Sequence, residues 1–152
     1  RDAQESRGLG DVYKRQAFAV PGEPKGKARP RTVQIAGHAS TYTPKETVMY
    51  ENLVRLYYQQ AARGLRLSGP IQAEIVSYSS VPKSTSKKKR ALMLDIKTLC
   101  QKKPDVDNLA KIVLDSLNKI AYDDDAQVCR LLVEKRYGGT PQVLVRLSEL
   151  EP

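Results

Sequence analysis

The chain has 152 residues, the length of one domain, and 40% of them are hydrophobic, a typical share for a globular protein. The net charge of +9 and the pI of about 9.6 indicate a polyanionic partner, either nucleic acid or an anionic membrane surface. No apolar run approaches the roughly 20 residues that span a bilayer, one histidine (His38) excludes His-based metal clusters, and two cysteines (Cys100 and Cys129) form neither a disulfide framework nor a zinc motif.

The first 16 residues look foreign to the rest of the chain. The stretch SRGLGDVYKRQ, Ser6–Gln16, resembles a translated transposase sequencing adapter. We therefore expect residues 1–16 to lie outside the fold and residues 17–152 to form the domain; the alternative is a genuine polar tail. Because residues 1–16 carry four basic and three acidic side chains, the remainder keeps a net charge of +8 and the charge argument is unchanged.

Short apolar runs and turn-forming segments alternate at the start of the domain. Ala17–Val20 predicts a strand that ends before Pro21-Gly22. Lys25–Arg31 follows Pro24 and contains Gly26 and Pro30, so it predicts a basic loop. Thr32–Ile35 predicts a second strand, which Gly37-His38 would turn.

A helix is predicted to follow this segment. Thr43 can cap it, Pro44 suits its first position, and Glu46 completes a capping box. The helix is expected to run to about Arg63 and to end at Gly64. Its predicted apolar face consists of Val48, Leu53, Leu56, Tyr57 and Ala61.

The second half of the chain predicts further strands and helices. Pro70–Ser79 alternates as a strand does, with Ile71, Ala73 and Ile75 on one face. Lys87–Leu94 predicts a short helix after a basic segment. A clean amphipathic helix is predicted from the spacing of Val106, Leu109, Ile112, Val113, Leu117 and Ile120.

Two strands, Gln127–Tyr137 and Pro141–Leu150, flank Gly138-Gly139 and predict a hairpin. The order of elements then predicts an α+β domain with helices packed on a small mixed sheet.

An acidic cluster stands out in this basic chain. Asp105 and Asp107 begin the amphipathic helix, and Asp123–Asp125 follows it. Unpaired carboxylates repel one another, so such a cluster is stable mainly around a cation, and oxygen ligands favour Mg²⁺ or Mn²⁺. Lys111, one turn after Asp107, could hold a phosphate, and Asp115 is expected to pair with Lys111 or Lys119. The alternatives are that Asp107 is only a helix cap and that Asp123–Asp125 is a solvated turn.

Two basic segments are candidate DNA contacts because their glycine, proline, serine and threonine neighbours expose them to phosphates. Their alternative interpretation is solvated surface. The candidate side chains are Lys25, Lys27, Arg29 and Arg31 in the first segment, and Lys83, Lys87, Lys88, Lys89 and Arg90 in the second.

The segment KPDVDNLAKIVLDSLNKIAYDDDAQV, Lys103–Val128, closely resembles the signature of RusA-type Holliday-junction resolvases, and its DNLxK and DDAQV elements are the specific part. VPGEPKGKARPR, TYTPKETVMYENLV and VPKSTSKKKR are similar to the opening strand and basic loop, the first helix and the basic middle segment of that family. The resemblance covers roughly residues 17–149.

The resemblance implies a Mg²⁺-dependent homodimer that cuts four-way DNA junctions symmetrically in recombination and repair, with Mn²⁺ as a possible substitute. Such enzymes are common on phages and prophages. The resemblance therefore implies a location in the cytoplasm of a bacterial or phage-infected cell, and it implies no membrane partner. The family's essential carboxylates fall on Asp105, Asp107 and Asp125, and its essential lysine falls on Lys111. Asp124 matches the acidic neighbour of the last carboxylate and joins the expected metal ligands, and Asp123 is an extra acid.

Two other functions remain open at this point. One is a non-catalytic nucleic-acid-binding protein whose acids are caps and turns. The other is a Mg²⁺-dependent nuclease that acts on other branched DNA, such as flaps, or on RNA. Metal-dependent cleavage separates the first from a resolvase, and a panel of substrates separates the second.

Overall fold

The computed structural model describes residues 13–95 and 98–151. Its elements, in chain order, are β1 (Arg15–Pro21), β2 (Arg31–Ile35), β3 (His38–Tyr42), α1 (Lys45–Ala62), β4 (Ile71–Ser79), α2 (Lys87–Met93), α3 (Val106–Ser116), a 3-10 turn (Asp125–Gln127), β5 (Val128–Tyr137) and β6 (Gln142–Glu149). The expectation for residues 1–16 falls mainly on residues 1–12, which lie outside the described residues. Of the remaining four, Arg15 and Gln16 begin β1 and pair with Ser148 and Leu147.

The main sheet has four strands in the order β1-β6-β4-β5. Strands β4 and β5 are parallel, and the other pairs are antiparallel. Helices α1 and α3 pack together against one face, and the apolar side chains between these layers form the core. This confirms the predicted α+β class, with helices on a mixed sheet.

Strand β4 lies inside the sheet, and its side chains alternate as predicted. Ile71, Ala73 and Ile75 are fully buried beneath the helices, while Gln72 and Glu74 are only partly buried on the other face. This period of two is the pattern of a strand covered on one face.

The predicted hairpin of the last two strands is wrong, because β4 lies between β5 and β6. The Gly138 N–H donates to the Ser79 carbonyl oxygen at 3.0 Å, so the connection crosses the end of β4 instead of turning back on itself. A Cβ on Gly138 would lie 2.9 Å from the Tyr78 Cβ, whereas Gly139 has open space around it. Gly138 is therefore needed for a close approach to β4, and the pair is not a two-residue hairpin turn.

The predicted capping box of α1 is also wrong. Pro44 occupies the cap position without a side-chain hydrogen bond. Thr43 therefore stands one residue too early for its hydroxyl to serve as the cap. The helix ends as predicted, with Arg63 in the left-handed conformation before Gly64.

The buried face of α1 differs from the predicted one. Val48 and Leu56 are 41% and 46% exposed. The ring of Tyr58 packs edge-on against Phe18 of β1, with 5.6 Å between centroids, and Arg55 donates to the Ser116 carbonyl of α3 at 2.8 Å. These contacts select another face, which consists of Thr47, Tyr50, Glu51, Val54, Tyr58 and Ala62.

Strand β2 confirms the strand predicted over Thr32–Ile35, but it pairs with β3, which was not predicted. The turn between them falls at Ala36-Gly37, one residue earlier than expected, and both residues have positive φ angles of 52° and 81°. Every residue of the two strands is exposed. This hairpin is therefore a surface ribbon, and it adds nothing to the core.

The two later helices form where the sequence predicts them, although α3 ends at Ser116, before Leu117 and Ile120 of the predicted apolar face, and Val106 is exposed. The Ser86 side chain accepts the Lys89 N–H at the start of α2. Helix α3 buries Leu109, Ile112 and Val113, and Leu117 is buried just after its end. In the described parts of the chain, none of the helices is both long and apolar enough to cross a bilayer.

Candidate functional site

The start of α3 presents two carboxylates to solvent. Asp105 is the cap residue, with an extended backbone (φ −69°, ψ 154°), yet its side chain accepts no capping hydrogen bond, and Asp107 lies in the first turn. Both residues are exposed. Within the described residues, neither carboxylate takes part in a hydrogen bond or a salt bridge. Both groups are therefore available to bind something else.

The backbone just before α3 is hydrogen-bonded to a side chain of β5. The Lys135 ammonium donates to the carbonyl oxygens of Lys102 and Pro104 at 2.8 and 3.0 Å. This contact fixes the direction from which the chain enters the helix.

Lys111 and Asp115 continue the face of α3 on which Asp107 lies, because residues four apart are neighbours on a helix. The Lys111 Nζ lies 3.1 Å from the Asp115 Oδ2, which confirms the predicted pair. The hydrogen bond and the charge of Asp115 raise the pKa of Lys111, so its ammonium group stays protonated. Since the Lys111 side chain is 61% exposed, it remains accessible to a phosphate from solvent.

The loop after α3 is tied back to the helix. The Tyr122 hydroxyl, fully buried, donates to the Leu114 carbonyl oxygen at 2.7 Å. The Asp125 N–H donates to the Asn118 Oδ1 at 2.8 Å. These two bonds bring Asp125 against the middle of α3, near Asp115 and Lys111.

Asp125 lies in a negatively charged setting. Burial is the largest cause that raises the pKa of Asp125. A side-chain hydrogen bond with Asp115 and the charges of Asp115 and Asp124 raise this pKa further, and the charge of Lys111 lowers it. Two carboxyl groups in contact favour a proton or a cation between them. The environment of Asp125 therefore favours binding of a positively charged group.

The two acids before Asp125 point elsewhere. Asp123 is 80% exposed and pairs with Arg66, with 2.6 Å between its Oδ1 and the Nη2 of Arg66. Asp124 caps the 3-10 turn by accepting the Ala126 N–H at 3.0 Å, and Gln127 completes that capping box. Of the three adjacent acids, Asp125 is the one that contacts Asp115 of α3.

The chemical nature of the side chains at this site suits a divalent cation. Its donors are carboxylate groups, and two of these, on Asp105 and Asp107, have no hydrogen-bond or salt-bridge partner among the described residues. Carboxylate oxygens suit Mg²⁺ or Mn²⁺. Within residues 13–95 and 98–151, however, no three His, Cys, Asp or Glu side chains lie close enough to form a ready metal site. The structure brings Asp125 to Asp115 and Lys111, and it does not bring Asp105 and Asp107 into one group with them.

The basic candidates divide by exposure. Lys27 differs from the rest because its Nζ lies 2.6 Å from the Glu51 Oε2, with its side chain only 21% exposed. Arg90 is half-buried and donates to the Pro82 carbonyl oxygen at 3.3 Å. The exposed candidates are Lys25, Arg29, Arg31, Lys83, Lys87, Lys88 and Lys89.

Sequence reasoning missed two residues that shape the site, Glu51 and Asn118. Glu51 is buried in α1 and pairs with Lys27, 24 residues earlier in the chain. Its burial depends on which face of α1 packs on the core, and the periodicity of the sequence did not identify that face. No pattern in the sequence indicates that Asn118 would accept the Asp125 N–H.

The chain matches the family model of endodeoxyribonuclease RusA over residues 21–148 and therefore belongs to that family. The match covers every element of the main sheet, with β1 only at its last residue, and also α3 and the acidic loop. Among individual proteins, the chain is similar to the uncharacterized protein YqaN of Bacillus subtilis (strain 168). The two are 35% identical over 135 residues, which is 88% of this chain and 95% of YqaN.

Proposed function

We propose that the protein resolves four-way DNA junctions by paired hydrolysis of phosphodiester bonds, as a Mg²⁺-dependent homodimer that acts in recombination and repair. Membership of a family of endodeoxyribonucleases supports the nuclease activity. The observation that carries the assignment of the site is the position of Asp125, which the loop after α3 holds against Asp115 and Lys111 on the helix that Asp105 and Asp107 begin.

In this proposal Asp105, Asp107 and Asp125 would hold the cation, and Asp124, whose side chain caps the 3-10 turn in this structure, would join them as an additional acidic ligand. A bound Mg²⁺ supplies polarisation of the phosphodiester and activation of a water molecule. The residues of the chain orient that chemistry. Asp105 and Asp107 offer carboxylates free of other described partners, and Asn118 holds the backbone of Asp125.

Lys111 is the proposed electrophilic group. Its ammonium lies 3.1 Å from the Asp115 Oδ2 at one end of the site, and that contact raises the pKa of Lys111 further above its ordinary value. A fixed positive charge beside the scissile phosphate stabilises the charge that develops during hydrolysis.

The exposed basic side chains are the proposed DNA contacts. Three of them, Lys87, Lys88 and Lys89, form the first turn of α2. Cations are unfavourable at a helix N-terminus because the helix dipole is positive there. Their position is therefore poor for helix stability, and attraction to phosphate gives them a function.

A homodimer supplies the second active site that paired cleavage needs. Twofold symmetry is the commonest form of association, and it doubles the basic surface. The outer strand β5 leaves Leu131 and Leu132 46% and 58% exposed. Exposed apolar side chains on an outer strand favour association with another chain.

Light scattering should give a mass of twice 17.0 kDa for the dimer, and a monomer both in solution and on DNA would contradict the proposal.

The central experiment is cleavage of a synthetic four-way junction with and without Mg²⁺, beside flap and linear DNA of matched sequence. We expect two symmetrically placed nicks on opposing strands of the junction, dependent on the metal. Equal cleavage of linear duplex would indicate a general nuclease, and binding without cleavage would favour a non-catalytic DNA-binding protein.

A further inference from the structure

The first basic loop is docked against the start of α3. The Lys27 N–H donates to the Asn108 carbonyl oxygen at 3.0 Å. A Cβ on Gly26 would lie 2.8 Å from the Pro104 Cβ and 3.1 Å from the Asn108 Cβ. The absence of a side chain on Gly26 thus lets the loop approach the helix closely, and Lys27 enters beside the candidate site.

The Lys27 side chain turns inward, towards two carboxylates. Its Nζ lies 2.6 Å from the Glu51 Oε2 and 3.6 Å from the Asp115 Oδ2. The Glu51 and Asp115 side chains are only 11% and 20% exposed. Ion pairs that are largely shielded from water are screened less than surface pairs. Lys27 therefore links α1 to α3 through charge, and its ammonium is engaged by protein carboxylates.

Asp115 connects Lys27 to the candidate site. The oxygen that faces Lys27, Oδ2, is also the one that lies 3.1 Å from the Lys111 Nζ, and the same carboxyl group contacts Asp125. Two carboxyl groups in contact repel when both are charged, and each nearby cation reduces that repulsion. Removing Lys27 would leave Lys111 as the remaining cation in contact with Asp115 and would increase the repulsion between Asp115 and Asp125.

We propose that Lys27 is a positioning residue of the nuclease site. Its ammonium, anchored by Glu51, holds the Asp115 carboxylate in the place from which that carboxylate orients Lys111 and Asp125. This role rests on the function proposed above and extends it to a residue of the basic loop. It also separates Lys27 from Lys25 and Arg29, whose exposed side chains remain available for phosphate.

The test compares Lys27→Met with Lys45→Met, which removes an equal charge from an exposed lysine at the start of α1. We expect Lys27→Met to lower single-turnover cleavage of bound junction by about 10- to 100-fold, the usual loss when the support of an active-site group is removed. Its affinity for the junction should fall no further than that of Lys45→Met. Lys27→Arg, which keeps the charge, should restore most of the rate. Equal cleavage rates for the two methionine variants, or a loss of affinity with normal cleavage of bound DNA, would overturn the proposal.

A second variant separates positioning from folding, because Lys27→Met leaves Glu51 buried without its partner. The double variant Lys27→Met with Glu51→Gln removes that unpaired charge and should recover thermal stability. Asp115 still lacks Lys27 in this variant, so cleavage should remain slow. A cleavage rate that recovers together with stability would show a purely structural role and overturn the proposal.

Crystal structures of the wild type and of Lys27→Met provide a readout without DNA. We expect the Asp115 carboxylate to turn and the distance between Lys111 and Asp125 to change, and unchanged positions would overturn the positioning role. If the wild type cuts no junction, the proposed function fails, and this structural comparison still decides the inference about Lys27.

Discussion

Asp123, Asp124 and Asp125 are chemically identical neighbours with three different environments. Asp123 pairs with Arg66 at the surface, Asp124 caps a 3-10 turn, and Asp125 contacts Asp115. The sequence could identify the acidic loop and its position after α3. It could not separate the three roles, because each depends on a partner that folding brings near.

We expect Asp125→Asn to abolish cleavage of a four-way junction and to leave binding equal or tighter. Removing the carboxylate removes a cation ligand, and the loss of negative charge favours the approach of phosphate. Asp105→Asn and Asp107→Asn should behave in the same way. The matched control is Asp123→Asn, whose side chain is bound to Arg66, and it should cut at nearly the wild-type rate. Single-turnover cleavage and gel-shift assays measure both effects, and rapid cleavage by Asp125→Asn would remove that residue from the site.

Lys111→Ala should lower turnover far more than affinity. Loss of one group that stabilises transition-state charge costs a rate factor of about 10²–10³. The side chain is 61% exposed, so its removal leaves no cavity. If junction affinity weakens while bound DNA is cut at the normal rate, Lys111 is only an anchor for phosphate.

Secondary structure was predictable where local pattern determines it. The alternation of Ile71, Ala73 and Ile75 identified β4, and the period of α3 identified its buried face. Strand pairing was not predictable. Gly138-Gly139 is a local signal for a hairpin, but β4, which lies much earlier in the chain, occupies the position between β5 and β6.

The buried face of α1 was not predictable for a related reason. Apolar residues occur on more than one side of the helix, and the side that faces the core includes Glu51. A sequence pattern assigns a charged residue such as Glu51 to the solvent-exposed side of a helix. In the structure its charge is compensated by the salt bridge to Lys27. Periodicity alone could not select between these sides.

The glycine pair after β5 provides a test at the level of the sheet. We expect Gly138→Ala to destabilise the fold by about 1–3 kcal/mol, because its Cβ would be forced against Tyr78. This corresponds to roughly 3–10 °C in Tm for a domain of this size. Gly139→Ala meets no atom within 4 Å and should melt near the wild-type temperature. Calorimetry checks the pair, and equal Tm values would contradict the close approach of Gly138 to β4.

Charge acts at the scale of the whole molecule. The net charge of +9 attracts DNA, yet the acids of α3 and its following loop form a local negative site within that field. Such an arrangement concentrates a polyanion at the surface and a cation at one point. Binding and catalysis should therefore respond differently to salt and to metal.

Replacing Lys87, Lys88 and Lys89 with glutamine should weaken junction binding and flatten its dependence on salt. Each lysine that contacts a phosphate contributes about 1 to the slope of log K against log salt. Cleavage of bound DNA should stay normal. Lys45→Gln serves as the single-charge control, and fluorescence anisotropy at several salt concentrations gives the slopes. An unchanged slope would assign the three lysines to solvated surface.

The order of strands in the sheet also bears on how the protein is made. Strand β1 pairs with β6 alone, in a register that runs from Arg15 with Ser148 to Pro21 with Gln142, and β4 pairs with β6 on one side. While a ribosome is still adding residues before Gln142, the edges of β1 and β4 that pair with β6 have no strand to bind, and the sheet beneath α3 is incomplete. We therefore expect the proposed active site to form only after β6 has been synthesised.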